Sequence, residues 1–114
     1  MIRLRHVQLD PVLGSETGKT RPAIVVTNDT YNERVPVIQV VPITEWSEKK
    51  ARIKTNVTLD PLPSTGLIKK SLADCLQTRP IDRRHRLQGV RGTLSPESLE
   101  KVDRALLIVF ALGE

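Results

Sequence analysis

Proline and β-branched residues alternate along this chain, which leaves little room for long helices before its last twenty residues. "PAIVVTND" (22–29) is a compact run of strand formers closed by Asn28-Asp29, a turn pair. "VPVIQVVPIT" (35–44) is a second such run. Its prolines cannot donate to a ladder, so they place it at edges or bulges. "IKTNVTL" (53–59) sets Ile53, Val57 and Leu59 against Lys54, Asn56 and Thr58, the alternation of a half-buried strand. "LPSTG" then turns the chain, "SLADCLQT" (71–78) and "LQGVRGTL" (87–94) read as further strands, and His6 falls in a first strand. About five short strands with turns between them predict a mainly β fold, a small barrel or sandwich.

The final segment, "SPESLEKVDRALLIVFALG" (95–113), obeys different rules. Ser95 is placed to cap a helix, Pro96 suits its first position and Glu97 its first turn. Leu99, Val102, Leu106 and Val109 recur at helical spacing, and Gly113 can end the helix. A C-terminal amphipathic helix packed on the β core is expected, with a further reach to a partner subunit.

The 114 residues show no repeat, linker or low-complexity stretch, so one domain over 1–114 is expected. Aromatic residues are 3% of the chain, so aliphatic side chains must fill the core and stacked bases cannot dominate binding. The single Cys75 excludes an internal disulfide and leaves no thiolate cluster for a metal. "MIRLRHVQLD" carries charge where a signal peptide needs an apolar run, and 105–112 is too short to span a bilayer. A cytoplasmic protein, without a membrane partner, is expected.

"GSETGKTRP" (14–22) ends like a nucleotide-binding loop, but its glycines enclose three residues where that loop needs four. Thr20 leads into Arg21-Pro22 and a β run, whereas the phosphate loop must open a helix. Two glycines that expose backbone N–H groups, with Ser15, Lys19, Thr20 and Arg21 as further donors, still suit an anion. An exposed polar hairpin without a ligand is the alternative. Arg21 stands where the loop stiffens into a strand, a firm base for a guanidinium that forks onto a phosphate.

The net charge is +5, with five arginines against one aspartate between Arg79 and Arg91 and a second basic segment at 48–54. Clustered cations attract polyanions. A solvated surface and an acidic protein partner are the other readings.

"LDPVLGSETGKTRPAIVVTND" (9–29) resembles the first hairpin of the MazF/PemK-type toxins of bacterial toxin–antitoxin pairs. "VVPIT" (40–44), "LQTRPIDRRHRL" (76–87) and "LSPESLEKVDRAL" (94–106) resemble three further blocks of that family, in order. The resemblance implies a compact SH3-like β-barrel with short helices, acting as a homodimer. It implies a sequence-specific endoribonuclease that cuts single-stranded RNA without metal or cofactor and is silenced by a cognate antitoxin with an acidic, disordered tail. Carried over residue by residue, the catalytic arginine and threonine fall on Arg21 and Thr44. Substrate contacts fall on Ser15, Glu16 and Gln77, with Lys19 and Arg79 as neighbouring cations. His6 and His85 are the side chains with pKa values suited to a general base, and neither is assigned.

This chain departs from the family pattern at Ile2-Arg3, at Thr17 and at Leu76, where an acidic residue is usual; Asp74 would share its strand face. The rival readings are a non-catalytic toxin of the same fold that binds gyrase, as the CcdB type does, and a barrel that binds RNA without cutting it.

Overall fold

In a computed structural model, residues 3–10, 14, 16 and 18–112 are described. Seven strands form one largely antiparallel sheet: β1 (Arg3–Gln8), β2 (Thr20–Val25), β3 (Val37–Glu45), β4 (Asn56–Leu59), β5 (Ser71–Asp74), β6 (Arg79–Asp82) and β7 (Leu87–Thr93). Three single-turn helices interrupt them, α1 (Asp29–Asn32), α2 (Glu48–Ala51) and α3 (Arg83–Arg86), and α4 (Pro96–Val109) closes the chain. The hydrogen-bonded order is β4-β5-β3-β2-β1-β7, with β6 paired to β3.

β3 organises the sheet. One of its edges holds β2, with Ala23 opposite Pro42 and Val25 opposite Val40. The other edge is shared: Val37–Val40 pair with β6 and Ile43–Glu45 with β5. Pro42 sits at the seam between those two partners, fully buried, where its missing N–H leaves no ladder bond unmade. The expectation that prolines place this run at edges or bulges is not met by Pro42, which stands inside an interior strand in unshifted register with β2.

Alternation buries both faces of the central strands. Ile24, Val41 and Ile43 join one core with Leu4, Leu59 and Cys75, on which α4 lays Val102 and Ala105. Ala23, Val25, Ile38 and Val40 join a second with Val7, Leu9 and Ile81. Ser95 caps α4 by accepting from Ser98 N–H at 3.1 Å, with Pro96 first in the helix and Glu97 in its first turn.

Several boundaries differ from expectation. "VPVIQVVPIT" enters the sheet only at Val37, and after Val25 the chain leaves the ladder so that Asn28 caps α1, its side chain accepting from Thr30 N–H. The run at 53–59 contributes only Asn56–Leu59; Ile53 is exposed, because 52–55 form the turn after α2, closed by Asn56 Nδ2 donating to Lys50 O. The run at 71–78 stops at Asp74 and rolls into a 3₁₀ turn, Cys75–Gln77. α4 ends at Val109, with Ala111 in the left-handed region at φ 53°; the expected stop at Gly113 lies outside the described residues.

The expected SH3-like barrel closure is not what the ladders form. Among the described residues no pairing joins β4 to β7, so the sheet stays open. β4 is four residues long, pairs with β5 alone, and has α4 packed against it.

Candidate active site

The hairpin β1–β2 delivers the first functional side chains. Leu9 N–H donates to Lys19 O at 2.9 Å, carrying the ladder past the strand ends, and Lys19 takes a left-handed φ of 65° to turn the chain into β2. Thr20 opens a strand, opposite Gln8, and not the helix a nucleotide loop requires. Arg21 is next, half-buried, with Nε donating to Gly18 O at 3.0 Å. That bond holds the guanidinium by its inner nitrogen and leaves the two outer ones for a ligand.

β3 brings Thr44 to the same place. The β2–β3 pairing ends with Ala23 opposite Pro42, and Arg21 and Thr44 each lie two residues beyond it at the same end of the two strands. Both line an open cleft of about 630 Å³ together with Glu16, Lys19, Asp74 and Gln77. Asp74 comes from the end of β5 and Gln77 from the 3₁₀ turn behind it. Gln77 Nε2 donates to Asp74 Oδ2 at 2.9 Å, which fixes the amide orientation. Arg79, on β6, donates from Nη1 to Leu9 O at 3.0 Å and lines an adjoining hollow of about 490 Å³ with Glu16, Gln77 and Thr78. Of the residues singled out in the sequence, six thus gather around two connected hollows, Arg79 among them. Ser15 lies outside the described residues.

Charge in the main cleft is mixed. Lys19, Arg21 and Lys50 face Asp10, Glu16, Glu45 and Asp74. Under the cleft floor, burial and then the neighbouring Asp74 charge push the Cys75 thiol up to about 12, so it stays protonated and inert. Neither histidine lines the cleft. His85 sits in α3, whose N-cap Asp82 accepts from Arg84 and His85 N–H, both at 2.8 Å. Those bonds, His85 N–H first, hold the Asp82 carboxyl below its ordinary value. His6 lies opposite Pro22 in the hairpin, with Nε2 3.4 Å from Arg91 Nη1. Among the described residues no three His, Cys, Asp or Glu are grouped closely enough to hold a metal ion.

Lys50, Asn56 and Glu45 also line the cleft; Lys50 falls in the basic segment 48–54 noted in the sequence, while Asn56 and Glu45 were not singled out there. They come from α2, β4 and the end of β3, and no local spacing links them. The smaller hollow beyond Thr44 adds Arg91 from β7.

A model of the PemK-like, MazF-like toxins of type II toxin–antitoxin systems matches residues 3–110. The chain belongs to this family. It is 38% identical over 104 residues to the endoribonuclease EndoA of Bacillus subtilis, covering 91% of this chain and 87% of that protein. The fold of this PemK/MazF-family chain is similar to the Mycobacterium tuberculosis toxin MazF-mt6, with a TM-score of 0.80 and 22% identity over 98% of this chain and 99% of that one. It is also similar to a mycobacterial endoribonuclease solved in complex with its cognate antitoxin, with a TM-score of 0.75 and 18% identity over 98% and 94% of the two chains. In this family member no helix among the described residues is long and apolar enough to cross a membrane.

Proposed function

We propose that this toxin-family protein, as a single domain, is a sequence-specific endoribonuclease that cuts single-stranded RNA without a metal ion. The observation that supports the reading best is the meeting of Arg21 and Thr44 on adjacent strands in one cleft, with Arg21 held at Nε by Gly18 O. In such a reaction the 2′-oxygen attacks the neighbouring phosphorus, and the bond from phosphorus to the 5′-oxygen breaks. The 2′ proton passes to an acceptor, and a proton reaches the departing 5′-oxygen. The products are a 2′,3′-cyclic phosphate and a 5′-hydroxyl. The crowded, doubly charged phosphorane between them needs preorganised donors on its oxygens. Arg21 supplies a cation and Thr44 a hydroxyl, a kind of stabilisation typically worth about 3 kcal/mol. Arg21 acts as a stabiliser, because its guanidinium is too basic to take up the proton as a base. Gln77, oriented by Asp74, and Glu16 present donors and acceptors to bases, while Lys19, Arg79 and Ser15 receive the strand.

A homodimer is part of the proposal. Exposed Leu107, Ile108 and Phe110 on and just beyond the last turn of α4 supply apolar surface for a second copy to cover. The cognate antitoxin would lay an acidic, otherwise disordered tail on the cations of the cleft, and the RNA substrate puts the working protein in the cytoplasm.

The test is incubation of purified protein with mixed single-stranded RNA in EDTA, and then mapping of the ends. Cleavage at a defined short sequence, with cyclic phosphate and 5′-hydroxyl termini, is expected. Arg21→Ala should lose at least about 100-fold in rate while circular dichroism stays unchanged. Intact RNA, cleavage that vanishes with the chelator, or wild-type turnover by Arg21→Ala would each remove the reading.

A further inference from the structure

Two arginines in this protein are held in the same way. Arg21 Nε donates to Gly18 O at 3.0 Å, and Arg91 Nε donates to Gly66 O at 2.9 Å. Each guanidinium is fastened by its inner nitrogen to a glycine carbonyl. Among the described residues no carboxylate pairs with either. Both line one hollow of about 200 Å³, with Thr44 and Ser71 in the same wall and Lys69 at its side. This hollow shares Arg21 and Thr44 with the main cleft and lies away from Gln77, which lines the cleft's other extension.

Three separate features position Arg91. In the β1–β7 ladder Leu4 pairs with Gly92 and Arg5 with Val90, so Arg91 is the extra residue of a β-bulge. Bulges re-aim a side chain out of the regular alternation. The strap 62–66 is then docked tightly on that bulge. Gly66 takes φ +68°, a Cβ on it would run into the Arg91 carbonyl, and one on Gly92 would run into the backbone of Ser64 and Thr65. Thr93 N–H donates to Ser64 O at 2.8 Å, and buried Thr65 holds the strap closed through Oγ1 to Leu62 O at 2.8 Å. The close approach is what puts Gly66 O within reach of Arg91 Nε. A half-buried cation given a fixed seat and no counter-charge is short of an anion.

We propose that Arg91 binds the RNA phosphate adjoining the one cleaved, on the side of the cleft away from Gln77. This rests on the reading of the cleft as an RNA-cleaving site and extends it. The strand runs past Gln77 and Arg79, bends at Arg21 and Thr44 where the bond breaks, and leaves between Arg91 and Lys69. Arg91 is a substrate-binding residue, one phosphate away from the chemistry.

The experiment uses an oligoribonucleotide carrying the cleavage sequence mapped with the wild type. A series is made in which each member has a single phosphate replaced by a neutral methylphosphonate. With the wild-type protein, neutralising the adjoining phosphate should raise KM roughly 10- to 100-fold, the range for a charged hydrogen bond, with kcat little changed. Arg91→Met should raise KM by a similar factor on the native oligomer and give no further rise on that methylphosphonate. It should also lower the slope of log affinity against log salt by about 0.7, one phosphate contact on a single strand. Arg91→Lys should recover part of the loss by restoring the charge without the fork. A wild-type series indifferent to every adjoining phosphate overturns the proposal without any variant. So does an Arg91→Met whose KM rise is the same on all members, which marks a fastening role for the strap alone. An Arg91→Met that cleaves normally and loses only antitoxin affinity also overturns it, and assigns the residue to an acidic protein tail. Cleavage with an indifferent Arg91 thus sinks this inference alone, whereas no cleavage by the wild type sinks the reading of the cleft with it.

Discussion

Gly66→Ala is the substitution that most directly probes how the strap seats Arg91. The residue's φ of +68° is open to glycine and strained for alanine by about 1 kcal/mol. The added methyl would also overlap the Arg91 carbonyl, and the overlap can be relieved only by lifting the strap from β7. Lifting it gives up two bonds, Thr93 N–H to Ser64 O and Arg91 Nε to Gly66 O, at about 1 kcal/mol each. Strain and lost bonds together come to about 3 kcal/mol, a large part of the ~6–17 kcal/mol expected for a domain of this size. At roughly 4 °C per kcal/mol, the melting temperature should fall by about 12 °C. Gly89 lies on the same strand with open space where a Cβ would stand and no positive φ, so Gly89→Ala should stay within about 0.5 kcal/mol of wild type. Urea unfolding of the three proteins, monitored by circular dichroism, measures both differences. A Gly66→Ala midpoint level with that of Gly89→Ala would refute the close-approach argument, and with it the claim that the strap fixes the Arg91 seat.

The orientation of Gln77 by Asp74 predicts that Gln77→Ala and Asp74→Ala shift the cleavage sequence in the same direction, with little loss of fold. Sequencing of cleaved ends from a random RNA pool reads this out, and an unchanged pattern for both would take Gln77 off the bases. Cys75 titrates at about 12 when folded against an ordinary 9.0, so burial favours the protonated state. Its contribution to stability is complete below pH 9 and is lost as pH rises from 9 towards 12. The wild type should therefore lose more stability than Cys75→Ala between about pH 8.5 and about 10.5, and equal losses would contradict the assigned burial effect.

The sequence made the strand runs legible because their side chains alternate, and it made α4 legible through Ser95, Pro96 and the helical spacing of Leu99, Val102, Leu106 and Val109. It could not show where the runs end. The turn at Asn28-Asp29 is legible, yet Val26 and Thr27 have strand propensity and fall outside β2, and Ile53 is aliphatic yet exposed on a turn closed by Asn56. Tertiary hydrogen bonds decide such boundaries, and local preference does not record them. β6 was hidden for a related reason: "RPID" shows one inward residue, Ile81, and its pairing depends wholly on β3. The opening of the sheet was hidden too, since barrel closure depends on pairing between its two edge strands, β4 and β7. At the site, Arg21 stood out because glycines and a proline frame it. Arg91 did not, because its seat is made by a bulge and by Gly66 and Ser64, some 25 residues upstream.

Net charge and local charge point different ways in this protein, and the difference assigns them different tasks. The chain carries +5 overall, yet the main cleft sets three basic residues against four acidic ones. A cleft of that balance does not draw in RNA by its own field. The long-range pull comes from the arginines and lysines spread over the rest of the surface, and it weakens as salt screens it. Inside the cleft the carboxylates do other work: Asp74 holds Gln77, and Glu45 holds Lys69 through a bond of 3.2 Å. Among the described residues Arg21 and Arg91, each seated on a glycine carbonyl, have no carboxylate partner, and neither do Lys19, Lys50 and Arg79. A phosphate meets these cations without first displacing a protein anion. What sets Arg21 and Arg91 apart is the fixed seat of each Nε on a glycine carbonyl, so where the strand is gripped depends on how the cations are held and not on how many there are.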